Sequence, residues 1–136
     1  MAEIAAVIGG GAMGNGIAHV FALSGYKTVL IDQTEELARK AIAMVAENMG
    51  RQVKKNLISD SDRAGALERL SASADLEAAA PASLVVEAVF EDIKAKGEIF
   101  AKLDKVCSPE AVLASNTSSI PITTLASRTS RPSRVI

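Results

Sequence analysis

Residues 7–16 read VIGGGAMGNG, an apolar run that breaks into a glycine-rich turn, and Asp32 closes a second apolar run. Few patterns restrict a fold as tightly. Gly9, Gly11 and Gly14 occupy the three glycines of G-x-G-x-x-G, the turn that passes a buried strand into a helix whose free N–H groups hold a pyrophosphate. Gly9 permits the turn, Gly11 removes the side chain that would collide with phosphate, and Gly14 lets the helix lie close against the sheet. The flanks agree with this reading. Ile4 to Ile8 reads as a strand, Ala12 to Ser24 as a helix with Ile17, Val20, Phe21 and Ser24 on one side, and Thr28 to Ile31 as the next strand. Asp32 then stands where a carboxylate accepts hydrogen bonds from an adenosine ribose, and it would repel a 2′-phosphate. Gln33 and Thr34 follow it and Arg39 lies further on in a helix, so NAD is favoured over NADP. The plainer alternative is that Asp32 opens an ordinary turn.

The chain of 136 residues, 49% hydrophobic with a net charge of −1, is long enough for one globular domain and too short for two. Near-neutral charge and 3% aromatic residues argue against nucleic-acid binding, which calls for a basic face or stacking platforms. No apolar run approaches the roughly 20 residues that span a bilayer, and Glu3 stands where a secretory signal carries basic residues, so a cytoplasmic protein with no membrane partner is expected. Cys107, the one cysteine, falls one turn after Leu103 and reads as a packed core thiol. No Cys/His cluster has metal-ligand spacing, so no metal is expected.

Thr34 is a helix N-cap candidate, followed by Glu35 and Glu36 at the positive end of the dipole and by Leu37, Ala41, Val45 and Met49 at every fourth position. That helix is expected to run to about Leu57, with a bend or a packing reason at Gly50, which weakens a helix by about 1 kcal/mol relative to alanine. Ser59 to Asp62 can cap a second helix ending near Leu70, so the two form a hairpin expected to protrude between the second and third strands. Arg51, Lys54 and Lys55 share one side of it, either as a solvated face or as a binding face. Leu70 to Ser73 is expected as an edge strand, Asp75 to Ala80 as a short helix, Leu84 to Val89 as a central strand, and Ala111 to Ala114 as a fifth. Between the last two, Ile93 to Cys107 reads as a helix with Ile99, Phe100, Leu103 and Val106 inward. Val135 and Ile136 look like the opening of a sixth strand. Alternating strands and helices give an α/β doubly wound parallel sheet with right-handed crossovers.

Open α/β sheets collect ligands beyond the C-terminal ends of their strands. There lie AVFEDIKAK, residues 88–96, and SNTSS, residues 115–119. The hydroxyls of the second segment suit a ligand, and equally suit helix capping ahead of Ile120 and Pro121. Glu87, inside an apolar strand, needs a partner or water.

These segments together resemble the L-3-hydroxyacyl-CoA dehydrogenases, in particular the bacterial 3-hydroxybutyryl-CoA enzymes. The carriers are VIGGGAMGNGIAHVFALSGY, Asp32, LVVEAVFEDIKAKGEIFAKLD, and LASNTSSIPIT followed by RPSRVI. The resemblance implies that residues 1–136 are a Rossmann-type NAD-binding domain, cut before a catalytic histidine and a helical C-terminal domain through which the full-length form makes a homodimer. It implies that Gly9, Gly11, Met13 and Gly14 line the NAD pyrophosphate, Asp32 the ribose, and Ala88, Glu91 and Lys96 the rest of the crevice. Ser118 would contact the nicotinamide side and the 3-oxygen of an acyl-CoA substrate. Lys55 would meet the phosphates of coenzyme A, with Asn48 standing where relatives often carry serine. The implied reaction is hydride transfer from an L-3-hydroxyacyl-CoA to NAD. His19, the one histidine, reads as a helix residue and not as the base, so the chain alone is expected to be inactive. Rival readings are a Rossmann dehydrogenase of the 3-hydroxyisobutyrate or 6-phosphogluconate type, a non-catalytic NAD-binding module, and an α/β scaffold with no ligand.

Overall fold

The computed structural model describes residues 3–136. Its strands are β1 (Ile4–Ile8), β2 (Lys27–Ile31), β3 (Leu70–Ser73), β4 (Leu84–Glu87) and β5 (Val112–Ser115), all parallel, in the order β3-β2-β1-β4-β5. The helices are α1 (Ala12–Leu23), α2 (Glu35–Lys54), α3 (Asp60–Glu68), α4 (Ile93–Val106) and α5 (Ile122–Ala126), with 3₁₀ turns at Leu76–Ala79 and Pro132–Arg134. Among the described residues, no helix is long and apolar enough to cross a membrane. The sixth-strand expectation holds in outline: Val135 bridges Leu113 in parallel, and the Ser115 N–H donates to the Ile136 carbonyl at 2.8 Å.

Period-two alternation along β1 assigns its residues to opposite faces. Ala6 and Ile8 join Val85, Phe100, Leu103, Leu113 and Leu125 beneath α4 and α5, while Val7 joins Ala18, Leu30, Ala38 and Ala41 beneath α1 and α2. The sequence pattern misplaces the face of α1 and one residue of the α2 stripe. Gly14, Ala18 and Ala22 form the buried stripe of α1, and Val20 is exposed. On α2 the stripe is Ala38, Ala41, Val45 and Met49, with Leu37 exposed. Along α1 and at Ala38 and Ala41 of α2 small side chains are buried and let the helix axis approach the sheet, while Val45 and Met49 pack against the other helices.

α2 starts as expected, with the Thr34 hydroxyl accepting from the Leu37 N–H at 3.1 Å. It stops sooner than expected, because Asn56 takes a left-handed φ of 58° and the Leu57 N–H folds back to the Gln52 carbonyl at 2.9 Å. Ser59 and Asp62 form a reciprocal capping box at the start of α3. The hairpin does not protrude along its length. Ala22, Val45, Met49 and Ala66 make a core between α1, α2 and α3, and the Arg63 guanidinium crosses to the Ala46 carbonyl at 3.0 Å. Gly50 sits within that packing, where an added Cβ would lie 3.8 Å from Arg63 Nε, and the helix continues through it. Cys107 is a buried core thiol, and loss of hydration raises its pKa above the ordinary thiol value.

Candidate functional site

One row of residues lies level across the carboxyl edge of the sheet: Ser73, Ile31, Ile8, Glu87 and Ser115. The residues that leave four of these five strands, Gly9, Asp32, Ala74 and Ala88, line a cleft of about 570 Å³. That volume falls within the roughly 300–1,000 Å³ common for small-molecule sites. The cleft opens between β1 and β4, where the strand order reverses, the position at which doubly wound sheets bind nucleotides.

Backbone geometry builds the near wall. Gly9 has φ +100°, and a Cβ there would lie 2.8 Å from the Ala88 carbonyl oxygen. A Cβ on Gly14 would overlap the Gly9 carbonyl, so α1 touches the turn directly. Gly10, which the spacing does not single out, is equally constrained: its Cβ would meet Ala41 Cβ at 2.7 Å, and its N–H donates to Asp32 Oδ2 at 3.0 Å. Gly11 is the exception. A Cβ there would meet nothing within 4 Å. Of the three glycines that line the cleft, Gly9, Gly10 and Gly11, only Gly11 has no neighbouring protein atom that its missing side chain would strike.

This is the arrangement an anionic cofactor requires. Gly11 caps α1 without a side-chain hydrogen bond and the first turn carries no acidic residue, so its leading N–H groups present a positive helix end to the cleft. Asp32 is held by two backbone donors, Gly10 N–H and Gln33 N–H, the latter at 2.8 Å to Oδ1. A carboxylate offers about four acceptor sites, so capacity remains for a ribose. Arg39 is paired with Glu35 at 2.7 Å on the exposed face of α2 and is not in the cleft wall. The residues present therefore fit NAD.

The far wall comprises Ala74, Asp75, Leu76, Ala95, Ile99 and Lys102. Sequence reasoning assigned none of these a ligand role. Parallel pairing of β3 beside β2, together with the inward side of α4, is the signal that could have found them.

Side chains build the β4–β5 end of the site. Glu87 is fully buried and its partner is Lys96, whose Nζ lies 2.5 Å from Glu87 Oε2. Lys96, expected in the crevice wall, lies instead beneath it with its side chain fully buried. Its ammonium has three protons and three acceptors: Glu87 Oε2, the Val89 carbonyl at 3.0 Å and Glu91 Oε1 at 3.3 Å. Glu91 accepts at Oε2 from Ser119 Oγ at 2.5 Å and from Thr117 Oγ1 at 2.7 Å. Those hydroxyls, with Lys96, hold the Glu91 carboxyl below the ordinary carboxylate value. Ser118 stands exposed between the two tethered residues. Thr117 also accepts from Ile120 N–H at 3.1 Å, a turn contact ahead of α5, whose N-cap is Pro121 with no side-chain cap hydrogen bond, so the hydroxyl cluster does not cap that helix.

Met13 is exposed on the first turn of α1, and Ala88 is in the wall. Neither Lys55 nor Asn48 lines the cleft. Asn48 Oδ1 accepts from Arg51 Nη1 at 2.7 Å, Arg51 also pairs with Glu47 at 2.9 Å, and Lys55 is exposed at the end of α2. His19 is likewise outside the cleft wall, with Nε2 2.8 Å from Gln52 Oε1, joining α1 to α2.

Residues 4–136 match the family described as 3-hydroxyacyl-CoA dehydrogenase, NAD binding domain. A 3-hydroxybutyryl-CoA dehydrogenase of Bradyrhizobium diazoefficiens is 44% identical over 130 residues, covering 96% of this chain and 44% of the relative. The mitochondrial hydroxyacyl-coenzyme A dehydrogenase of Sus scrofa is 42% identical over 135 residues, covering 94% of this chain and 43% of the relative. The chain therefore spans less than half the length of these relatives. Among solved structures, (S)-3-hydroxybutyryl-CoA dehydrogenase from Ralstonia eutropha superposes with a TM-score of 0.95 at 35% identity, over 100% of this chain and 48% of that one. The Escherichia coli 3-hydroxybutyryl-CoA dehydrogenase also gives 0.95, at 37% identity, over 99% and 29%. Sequence, topology and cleft agree, and the chain belongs to the family of 3-hydroxyacyl-CoA dehydrogenase NAD-binding domains, whose cofactor is NAD.

Proposed function

We propose that this chain is the cofactor half of an oxidoreductase that reversibly converts an L-3-hydroxyacyl-CoA, of the 3-hydroxybutyryl class, to the 3-ketoacyl-CoA. The observation that carries this reading is the cleft at the strand-order reversal, with open space at Gly11 on one side and Asp32 fixed on the other. NAD, when bound, accepts the hydride. The chain's own groups bind and orient. Leading N–H groups of α1, with Gly9, Gly11, Met13 and Gly14 around them, receive the pyrophosphate, Asp32 receives the ribose hydroxyls, and Ala88 packs against the cofactor. Glu91 steadies the two residues flanking Ser118, whose exposed hydroxyl donates toward the substrate's 3-oxygen beside the nicotinamide. Lys55, with Asn48 about two helical turns before it on the same side, meets coenzyme A phosphates.

The proton of the substrate hydroxyl needs a base, worth about 10² to 10⁴ in rate for such steps. His19, bonded to Gln52 away from the cleft, is unsuited to that work. The same reading places the protein in the cytoplasm and the whole enzyme in a dimer, both carried by the family resemblance.

Side-by-side titration of the chain with NADH and NADPH, followed by nucleotide fluorescence, tests the reading. Saturable NADH binding with much weaker NADPH binding is expected; equal affinity for both would remove the role given to Asp32, and binding of neither would overturn the assignment. Incubation with acetoacetyl-CoA and NADH should leave NADH absorbance unchanged, and robust turnover by these residues alone would show that a base had been overlooked.

A further inference from the structure

We propose that Glu87 is a positioning residue for the cofactor crevice, its buried carboxylate joining the loop after β4 to the loop after β5 and thereby setting the place of Ser118. The inference rests on the cleft being a dinucleotide site. Glu87 ends β4 and is level with Ile8 on one side and Ser115 on the other, so its side chain lies beneath the crevice between both loops. Its carboxylate bonds one group from the β5 end, one from the loop after β4 and the buried Lys96 ammonium. Oε1 accepts from Ser115 Oγ at 2.5 Å, and Oε2 accepts from the Val89 N–H at 2.7 Å and from Lys96 at 2.5 Å. Lys96 then reaches the Val89 carbonyl, so both polar groups of Val89, a cleft-lining residue, are held by this one pair. Through Glu91 the same ammonium reaches Thr117 and Ser119. The main chain adds a parallel tie, Asn116 N–H to the Glu87 carbonyl at 2.8 Å.

A purely structural role is a poor account of this cluster. A buried ion pair is frequently no more stabilising than apolar residues of similar volume. Val85, two residues earlier on the same face of β4, is buried and apolar, the choice a strand makes where only packing is required. What an apolar pair cannot reproduce is the set of hydrogen bonds to Ser115, Val89 and Glu91, which determine where the two loops stand.

The decisive variant is therefore the apolar double exchange Glu87→Leu with Lys96→Met, compared with the unaltered chain by thermal melting and by NADH titration. A cooperative melt near the original temperature, with the NADH dissociation constant raised about tenfold or more, is expected for positioning, since tenfold corresponds to the loss of about 1.4 kcal/mol of binding. A dissociation constant within about twofold of the unaltered chain would overturn the proposal. If the double variant does not fold, Ser115→Ala decides, with Ser115→Thr as the conservative rescue. Weakened NADH binding in a folded Ser115→Ala chain, recovered in Ser115→Thr, supports the proposal, and unchanged binding in Ser115→Ala overturns it. No NADH binding by the unaltered chain would remove the dinucleotide reading itself, a separate outcome from unaltered binding that survives loss of Glu87.

Discussion

The two halves of the crevice are made by different means. Around β1 and α1 the wall is backbone, and each of Gly9, Gly10 and Gly14 is needed because a Cβ would strike a neighbouring atom. Around β4 and β5 the wall stands on the buried pair Glu87 and Lys96 and the exposed Glu91 that Lys96 reaches, with hydroxyls from Ser115, Thr117 and Ser119. Backbone contacts tolerate almost no change in side-chain volume but are indifferent to pH. Side-chain contacts reach across 28 residues of sequence from Glu87 to Ser115 or from Glu91 to Ser119, and depend on every partner keeping its charge or proton. The rigid half is suited to a phosphate, whose shape does not alter during reaction, and the polar half to the reacting end.

The sharpest way to break this contrast is Gly14→Val. The side chain would overlap the Gly9 carbonyl, so loss of about 3–5 kcal/mol of stability together with NADH binding is expected, checked by urea unfolding and titration. On the other half, Lys96→Ala leaves the Glu87 carboxylate buried with no cation, and a similar cost of about 3–5 kcal/mol is expected in the same unfolding assay. Less than about 1 kcal/mol would mean that water or rearrangement satisfies Glu87 and that the cluster is not tightly closed.

Gly11→Ala separates fold from function within the glycine loop. With open space at its Cβ and φ −67°, only the helix-cap preference for glycine opposes the change, so stability should fall by no more than about 1 kcal/mol while NADH binding falls, because the methyl enters the phosphate position. A smaller effect is expected for Asp32→Ala: NADH binding weakened by about 1.5–3 kcal/mol, the range for hydrogen bonds to a charged group, and the preference over NADPH reduced. Unaltered discrimination would assign selectivity to another residue. The smallest expected effect is a pH dependence. Glu91 has its folded pKa below the ordinary value of 4.5, so its contribution is fully present above that pH and is lost as the pH falls through the lower folded value. The protection of amides 116–119, measured relative to their intrinsic exchange rates at each pH, should therefore fall at acid pH in a folded chain, and Glu91→Gln should remove that dependence.

Legibility from sequence follows the same division. The glycine spacing, β1, β2 and the Asp32 carboxylate are local patterns, each set by residues within about one supersecondary unit, and they were readable in order. Glu87 was legible as an unusual carboxylate in an apolar strand, but its partner was not: Lys96 lies in a segment whose other charges are exposed, and only the approach of α4 to β4 buries it. The face of α1, and Leu37 on α2, misread for a related reason, since a small residue such as Ala18, Ala22 or Ala38 gives little periodic signal beside an exposed Val20 or Leu37. The far wall of the cleft at Ala74 to Leu76, Ile99 and Lys102 carries no chemical signature in sequence.

By itself, then, the sequence determined the strand–turn–helix unit, the parallel class of the sheet and the kind of ligand, because glycine spacing and hydrophobic period act over short chain distances. Tertiary structure decided which small residues are buried, how the helical hairpin lies along α1, and how Glu87, Lys96 and Glu91 share protons across two loops. Burial of a charge depends on what closes over it, and that is a property of the assembled sheet and helices rather than of any one segment.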